Sequence, residues 1–306
     1  MKYSESLIYN ICNRCNLRCK HCSNAGLIHD TQVMDSNMVF DSLTDAAEVG
    51  IAQVTFVGGE PFLELGSLRK YIQRAKALGL ETCIITNTYW AKTKETAIEI
   101  LKSLEGLTSL LISSDLYHLE YISADIIMNA IEACLELNIN AAINATCASK
   151  KDKKKIWEIY EKYKNKIFIH THMLMPIGAA KELEIERWML EDKVNRLPGI
   201  CGIGNFLIEM NGDVHACCNA ILAKDSYLYA GNLNEESLKE ILHRFHMNPM
   251  YQFIRKQGPR GIGRMLQTSP YYELCRTREY TCECDFCVDV LGNRKFYESL
   301  ESMLIR

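Results

Sequence analysis

The sequence of 306 residues lacks a long apolar run. No stretch approaches the roughly 18 to 20 uninterrupted apolar residues that a membrane-spanning helix needs. The first five residues, Met1-Lys2-Tyr3-Ser4-Glu5, also lack the apolar stretch that opens a secretory signal. We therefore expect a cytoplasmic protein with no membrane partner.

The sequence also lacks an excess of charge of one sign. It has 35 lysines and arginines against 38 acidic residues, for a net charge of −3 at pH 7, and it contains no repeat of fixed period. This near balance gives no reason to expect a nucleic-acid partner. With 48% apolar residues, the chain can bury the core of a large barrel-like domain or of two unequal domains.

Cysteine, in contrast, is abundant, with 14 residues that fall mostly into three groups. Four lie between Cys12 and Cys22, three between Cys201 and Cys218, and four between Cys275 and Cys287. In a reducing compartment, such groups more often bind metal or carry out redox chemistry than form disulfides. The length of the chain and its lack of a secretory signal argue against a secreted disulfide scaffold.

Strand-forming runs alternate with helical patterns through the first part of the chain. The predicted strands are Leu7–Ile11, Gln53–Val57, Glu81–Thr86, Ser109–Ser113, Asn140–Thr146 and Ile167–Leu174. The predicted helices between them are Asp35–Val49, Leu65–Ala77, Thr93–Leu104, Ala124–Leu137 and Lys153–Lys164. This alternation predicts an α/β fold with a parallel sheet and right-handed crossovers. A partial (β/α)6 TIM-like barrel is favoured, and an open doubly wound sheet is the alternative.

In both architectures the loops at the carboxyl ends of the strands build the functional site. Several polar or cysteine-containing segments fall at such positions. They are the first cysteine loop, the Gly58-Gly59-Glu60 turn, Asn87, Asp115 and Asn144. The sequence therefore predicts one site at this edge of the sheet.

The pattern changes near residue 180. We expect a barrel over residues 1–180, a charged linker helix over 181–199, and a cysteine-rich domain over 200–306. The lysine-rich run from Lys150 to Lys155 is interpreted as a solvated helix face rather than as a docking surface for an acidic peptide.

The first cysteine array, Cys15, Cys19 and Cys22, has the spacing Cys-x3-Cys-x2-Cys. Three thiolates on one loop can hold three irons of a [4Fe–4S] cluster and leave the fourth iron open for another ligand. A zinc site is the alternative, with His21 or Cys12 as the fourth ligand. On spacing alone, both remain open.

The segment Cys15-Asn16-Leu17-Arg18-Cys19-Lys20-His21-Cys22 resembles the signature of the radical S-adenosylmethionine (SAM) superfamily, and the resemblance extends over residues 1–180. It implies a [4Fe–4S] cluster whose open iron chelates the amino and carboxylate groups of SAM. It also implies an external one-electron reductant and a 5′-deoxyadenosyl radical that abstracts hydrogen from the substrate.

The same resemblance implies a SAM pocket. The Gly58-Gly59-Glu60 turn resembles the family's turn for the amino group of SAM, and His21 stands where an aromatic residue is common. The remaining cofactor-binding residues are predicted to be Ser113 and Asp115, with Asn87 and Asn144 as companions, and the Met175–Gly178 turn closes over SAM. His118 is expected to be a loop residue without a catalytic role.

The second cysteine region begins at Cys201 and continues through a predicted hairpin at Asn211-Gly212. It resembles the auxiliary-cluster domain of the SPASM/twitch subgroup, with a single auxiliary [4Fe–4S] cluster (the twitch form) because no cysteine follows Cys287. The implied ligands are Cys201, Cys217, Cys284 and Cys287, and Cys282 or Cys275 could replace Cys284. A structural zinc ribbon is the alternative.

Cys218 adjoins a predicted ligand and is either a buried apolar residue or a hydrogen-atom donor. The Cys217-Cys218 pair and the segments Thr86–Trp90 and Gly178–Lys181 resemble radical SAM peptide epimerases. That resemblance implies a ribosomally synthesised precursor peptide, loss of a Cα hydrogen, and return of a hydrogen by Cys218. One departure is Asn205, where an acidic residue is expected.

Three other functions are considered beside epimerisation. They are a peptide crosslinking enzyme that forms thioether or C–C bonds, a twitch-type small-molecule dehydrogenase, and a non-catalytic iron–sulfur sensor. A sensor would have no use for a SAM pocket, so the turn at Glu60 and the pair Ser113 and Asp115 argue against it.

Overall fold

The computed structural model describes residues 6–25, 28–201, 204–218, 224 and 226–304. Within these ranges the strands are β1 (Ser6–Asn10), β2 (Gln53–Val57), β3 (Glu81–Thr86), β4 (Ser109–Ser113), β5 (Asn140–Cys147), β6 (Phe168–Met173), β7 (Trp188–Met189), β8 (Asn205–Ile208), β9 (Asp213–His215), β10 (Tyr229–Asn232) and β11 (Glu279–Tyr280). The α-helices are α1 (Ser36–Val49), α2 (Leu65–Ala77), α3 (Lys94–Lys102), α4 (Ala124–Glu136), α5 (Lys150–Ile159), α6 (Leu190–Lys193), α7 (Leu238–Met247), α8 (Pro249–Gln267), α9 (Tyr272–Cys275), α10 (Glu283–Leu291) and α11 (Arg294–Leu304).

Strands β1 to β6 lie side by side in chain order and run parallel. One helix, α1 to α5, follows each of the first five strands. The predicted α/β fold with a partial (β/α)6 barrel is therefore confirmed. After β6 the chain forms a short 3-10 turn, Gly178–Glu182, in place of a sixth long helix.

Alternation along each strand separates two faces of the sheet. On β1, Leu7 and Tyr9 are fully buried, and the Tyr9 hydroxyl lies 3.1 Å from the hydroxyl of Ser42 on α1. Their neighbours Ser6 and Ile8 therefore point to the opposite face, into the barrel. The helices cover the apolar face, and the more polar face is left for a site.

The cysteine-rich part of the chain extends the same sheet. Strand β8 pairs with β1 in parallel, and β9 and β10 continue the sheet in the order β10-β9-β8-β1-β2-β3-β4-β5-β6. The predicted hairpin is present between β8 and β9, where Gly212 adopts a φ of +86°. The separate domain expected from the sequence thus shares a sheet with the barrel.

The predicted continuous linker helix over 181–199 is wrong. This segment contains β7, the one-turn helix α6 and a 3-10 turn, Val194–Arg196. Strand β7 pairs antiparallel with β11, and the rings of Trp188 and Tyr280 lie 5.5 Å apart. Pairing with a distant strand overrides the helix preference of the charged residues.

No helix in the described part of the chain combines the length and apolar character that a membrane crossing requires.

Candidate cofactor site

The first cysteine array lies on the loop that follows β1, at the carboxyl edge of the sheet. Cys19 is buried, and Cys15 and Cys22 are half-buried. The Leu17 N–H points at the Cys15 sulfur from 3.4 Å. Burial raises the pKa of Cys15 to about 11, and the neighbouring thiols add to the shift. Because a bound metal deprotonates a coordinating thiol outright, this clustered, shielded set of sulfurs fits iron ligation.

Two glycines allow the second strand's turn to pack against this loop. The Gly59 N–H donates to the Cys12 carbonyl at 2.7 Å, and the Glu60 N–H donates to the Arg14 carbonyl at 2.9 Å. A Cβ atom at Gly58 would lie 2.3 Å from the Cys12 carbonyl oxygen, and one at Gly59 would lie 2.2 Å from that of Arg14. Only glycine permits this approach of two backbones.

The Glu60 carboxylate is turned into the protein and is 1% exposed. It accepts hydrogen bonds from the Phe62 N–H at 3.1 Å, the Thr86 hydroxyl at 2.8 Å and the Asn87 N–H at 2.8 Å. Burial raises the pKa of Glu60 to about 7, although these donors oppose the shift. The carboxylate therefore ties the end of β2 to the end of β3, and most of its acceptor positions are used.

Asn87 links the end of β3 to the cysteine loop. Its side-chain amide donates to Asn16 Oδ1 at 2.9 Å and lies 3.9 Å from the Cys15 sulfur. The next residue, Thr88, has a φ of +60°, which is unusual for a β-branched residue. Its N–H is held by the Thr86 hydroxyl at 3.1 Å. Asn87 thus contacts a predicted cluster ligand.

Asp115, predicted to bind SAM, is 1% exposed and is engaged by protein donors on both oxygens. Oδ1 lies 3.0 Å from His118 Nδ1, and Oδ2 lies 3.2 Å from His21 Nε2 and 3.2 Å from the Thr146 hydroxyl. Burial alone would raise the pKa of Asp115, but the hydrogen bonds from His118 and His21 hold it well below its usual range.

His118 is the residue whose importance the sequence did not reveal. Burial alone would lower the pKa of His118, but hydrogen bonds and charges of Asp115 and Cys19 raise it to about 10. Ligand atoms of Cys19, His21 and His118 lie within 4.8 Å of one another. The signal in the sequence was a histidine three positions after Asp115, at the end of a strand. Cys12, the other possible zinc ligand, directs its thiol to the Glu60 carbonyl at 3.7 Å.

Three further predicted segments frame the loop. Ser113, the last residue of β4, pairs in register with Asn144 in the middle of β5, and both are half-buried. A Cβ atom at Gly178 would lie 2.5 Å from the Cys22 carbonyl oxygen, to which the Ala179 N–H donates at 3.0 Å. The turn after β6 therefore packs directly on the cysteine loop.

The second cysteine group converges from three separate segments. The Cys284 thiol shares a hydrogen bond with Cys282, which raises the pKa of Cys284. The charges of Cys287 and Cys217 raise this pKa further. Burial raises the pKa of Cys287 well above its usual value, and the charge of Cys201 adds to this rise. These mutual electrostatic effects connect the four predicted ligands and one of the two alternatives, namely Cys201, Cys217, Cys282, Cys284 and Cys287.

Cys275, the other alternative, lies apart from this group. It is fully buried, and its thiol donates to the carbonyls of Tyr271 and Tyr272 at 3.4 and 3.3 Å. Burial raises the pKa of Cys275 to about 11, and the charges that act on it come from Arg278 and acidic residues rather than from another cysteine. Its surroundings do not fit a metal ligand.

Cys218 is exposed, and its hydrogen bond with Cys217 lowers the pKa of Cys218 to about 7. Asn205, which stands where an acidic residue was expected, accepts a hydrogen bond from the Ser6 hydroxyl at 2.8 Å. The Asn205 side chain is therefore committed to the seam between β8 and β1.

Strand direction places the two cysteine groups at opposite edges of the sheet. Because β8 is parallel to β1 and Asn205 pairs with Ser6, the start of β8 lies at the amino edge. The Gly204 N–H donates to the Ala216 carbonyl, which puts Cys217 at that edge as well. Five strand residues span about 17 Å, so the barrel interior separates the two groups by a distance of that order.

Comparison with known families agrees with this arrangement. The model of the radical SAM superfamily matches residues 9–178. The chain belongs to the radical SAM superfamily. A second model, the SPASM iron–sulfur cluster-binding domain, matches residues 201–285. This radical SAM protein therefore uses SAM and two [4Fe–4S] clusters, one for each cysteine group.

Individual relatives extend over most of the chain. A Bacillus subtilis (strain 168) protein named as a peptide biosynthesis protein, YydG, is 22% identical over 314 aligned residues, which cover 98% of this chain and 97% of YydG. Streptococcus suis SuiB bound to SAM has a TM-score of 0.60 at 17% identity and covers 83% of this chain and 68% of SuiB. The structure of anSMEcpe with bound SAM and a Cp18Cys peptide has a TM-score of 0.58 at 14% identity, over 98% of this chain and 97% of anSMEcpe. At these identities, the two structures show a shared fold.

Proposed function

We propose that this radical SAM enzyme modifies a ribosomally synthesised precursor peptide by converting an L-residue to its D-form. Similarity to YydG over nearly the whole chain supports a role in peptide biosynthesis. The peptide bound to anSMEcpe, which shares the fold, supports a peptide-sized substrate space.

We assign the two clusters and SAM to the residues described above. Cys15, Cys19 and Cys22 would hold the first cluster, and the auxiliary cluster would use Cys201, Cys217, Cys287 and either Cys284 or Cys282. SAM would lie against Ser113, Asn144 and the backbone of the turn at residues 58–60. Given an electron by an external reductant, these cofactors supply a radical able to remove a Cα hydrogen.

The exposed thiol of Cys218 carries the epimerase proposal. It adjoins Cys217 in a group of converging cysteines, and Cys218 is exposed. A thiol there can donate its S–H hydrogen to the opposite face of the Cα radical, which leaves a sulfur-centred radical on Cys218. One electron from the external reductant and one proton from water would restore the thiol on Cys218, and a cluster held by the adjoining cysteines would supply a route for that electron.

The open edge of β6 supports an extended peptide as the substrate. The Leu174 N–H bonds to the Cys147 carbonyl of β5, so the alternate residues Ile169, Thr171 and Met173 point their N–H and C=O groups away from β5. Among the described residues these groups have no recorded hydrogen bond, and Phe168 on this strand is 74% exposed. An extended chain can add to such an edge.

The direction of β6 leads its open edge toward the first cysteine array. The strand runs into the turn at Gly178, which packs on the carbonyl of Cys22. A peptide paired along β6 would therefore approach the first cluster. This geometry supports delivery of one peptide residue to the SAM side of the barrel.

Replacement of Cys218 by alanine tests the epimerase proposal. With a precursor peptide encoded next to this gene, the wild-type enzyme should leave the peptide mass unchanged in H2O and add about one dalton per event in D2O. The variant should still cleave SAM but should form no D-residue. Cys134→Ala, which removes a buried thiol on α4, is the control.

Mass spectrometry and chiral amino-acid analysis separate the outcomes. Normal formation of D-residues by Cys218→Ala would show that another group returns the hydrogen. A loss of about two daltons from the wild-type product would instead indicate crosslinking or dehydrogenation, because two hydrogens then leave the substrate.

A further inference from the structure

Asp115 anchors a buried histidine beside the first cysteine array. The Asp115 carboxylate is 1% exposed, and its Oδ1 lies 3.0 Å from His118 Nδ1. The backbone N–H groups of Tyr117 and His118 donate to the same oxygen at 3.0 and 3.1 Å. The carboxylate therefore has a fixed position, and it fixes the orientation of the His118 ring.

The same ring lies beside the sulfur of Cys19. Ligand atoms of Cys19, His21 and His118 lie within 4.8 Å of one another. The His21 ring meets His118 edge-on, with centroids 4.9 Å apart, and stacks on Tyr117 at 4.7 Å. The His21 ring and the Asp115 carboxylate thus flank the His118 ring next to the Cys19 sulfur.

Hydrogen bonds to cluster sulfurs are one means by which a protein sets the reduction potential of a cluster. A donor at the sulfur stabilises the reduced cluster more than the oxidised one, because reduction adds negative charge. A carboxylate that accepts from one nitrogen of a metal-site histidine fixes the orientation of the ring.

We propose that His118, held by Asp115, is a positioning residue that hydrogen-bonds the Cys19 sulfur and makes the first cluster easier to reduce. This role would explain why Asp115 and His118 are bonded to each other at the end of β4, next to the cysteine loop. The inference rests on the radical SAM cofactors and is independent of epimerisation.

The test is the midpoint potential of the first cluster, followed by electron paramagnetic resonance in the reconstituted enzyme without peptide. His118→Phe removes the donor and is expected to shift the potential to more negative values. The expected fall in the equilibrium constant for reduction is about tenfold, or ~59 mV for one electron. His118→Gln keeps an amide donor and should restore part of the shift.

Three further variants make the test decisive. Asp115→Asn keeps the His118 ring but weakens its anchor, and it should shift the potential in the same direction. His243→Gln removes an exposed histidine on α7 and should leave the potential unchanged. Cys218→Ala should also leave it unchanged, which separates this inference from the epimerase proposal.

Either of two results would overturn the inference. One is an unchanged potential in His118→Phe with its full iron content retained. If His118→Phe loses iron, an unchanged potential in Asp115→Asn with full iron content takes its place. The other is one zinc ion per chain, bound by Cys19, His21 and His118 and lost in His118→Phe, since that would make these residues a zinc site.

Discussion

The two cysteine regions differ in how the chain assembles them. Cys15, Cys19 and Cys22 lie on a single loop of eight residues, whereas the second group is drawn from positions as far apart as Cys201 and Cys287. The first set can be recognised from spacing because the chain keeps its members together. The second exists only after β8, β9 and α10 have packed, so its ligands depend on the fold.

The regions also differ in what holds them. The first loop is fixed by backbone hydrogen bonds to the turn at Gly59 and by side chains from the ends of β3 and β4. The second group depends on the β8–β9 hairpin and on α10, which carries Cys284 and Cys287. We therefore expect damage to the first region to act locally on one cluster, and damage to the second to depend on which segment is changed.

The largest effect is expected from Cys19→Ala. Loss of one of the three ligands should prevent assembly of the first cluster, so iron falls by about four per chain. Formation of 5′-deoxyadenosine should stop. Cys83→Ala, a buried thiol on β3, is the matched control. Full iron content with normal SAM cleavage in Cys19→Ala would contradict the assignment.

Removing a ligand of the second group should have a smaller effect. Cys287→Ala is expected to lower the iron content from about eight to about four per chain while SAM cleavage at the first cluster persists. Cys275→Ala should retain all iron, because its thiol is bonded to backbone carbonyls. Iron is also counted in Cys282→Ala and Cys284→Ala, and the variant that loses about four irons identifies the fourth ligand. Equal iron loss in Cys275→Ala would reverse our exclusion of that residue.

The pH dependence of stability should reveal the buried carboxylate of Glu60. Its pKa is raised from 4.5 to about 7 in the folded protein, so folding favours its protonated form. This contribution is fully present below pH 4.5 and is lost as the pH rises through 7, and it amounts to about 3 kcal/mol. Denaturant unfolding at pH 5 and pH 7.5 measures it.

Glu60→Gln provides the comparison for that measurement. Its side chain does not titrate, so its free energy of unfolding should change less between the two pH values. Parallel pH profiles for wild type and variant would show that Glu60 does not titrate in this range.

The contact between the turn and the cysteine loop should be sensitive to one methyl group. Gly59→Ala places a Cβ atom 2.2 Å from the Arg14 carbonyl, and we expect a loss of about 1–3 kcal/mol in the free energy of unfolding, with reduced iron retention. Gly66→Ala on α2 is the matched control because no atom lies within 4 Å of its Cβ position. It should stabilise the protein by about 0.5–1 kcal/mol. Similar behaviour of both variants would mean that the loop can move.

Much of the barrel could be predicted from sequence because each strand is a short apolar run that ends in a turn or at polar residues. The predicted bounds of β2, β3 and β4 are those of the structure. The pairing of β8 with β1 could not be predicted, since no local feature of Asn205–Ile208 indicates which strand it pairs with. Strand β7 was missed for the same reason, as it forms only against β11.

The site was predictable to a similar degree. The cysteine loop and the turn at residues 58–60 follow from local pattern and from their position after strands. The role of His118 did not follow, because it depends on the sulfur of Cys19, which lies far away in sequence and close in space. Asp115 was predicted from its position after β4, but its partners are protein side chains that a strand-end argument cannot supply.

The pairing of β1 with β8 has a consequence for the order in which this protein takes shape during synthesis. Ser6 and Asn205, bonded through their side chains, are 199 positions apart. At about 5–20 residues per second, the ribosome releases β8 roughly 10 to 40 seconds after β1. Throughout that interval the edge of the nascent barrel at β1 stays unpaired. The ligands Cys15, Cys19 and Cys22 emerge at its start, so early cluster insertion would stabilise an unfinished sheet before its last strands arrive.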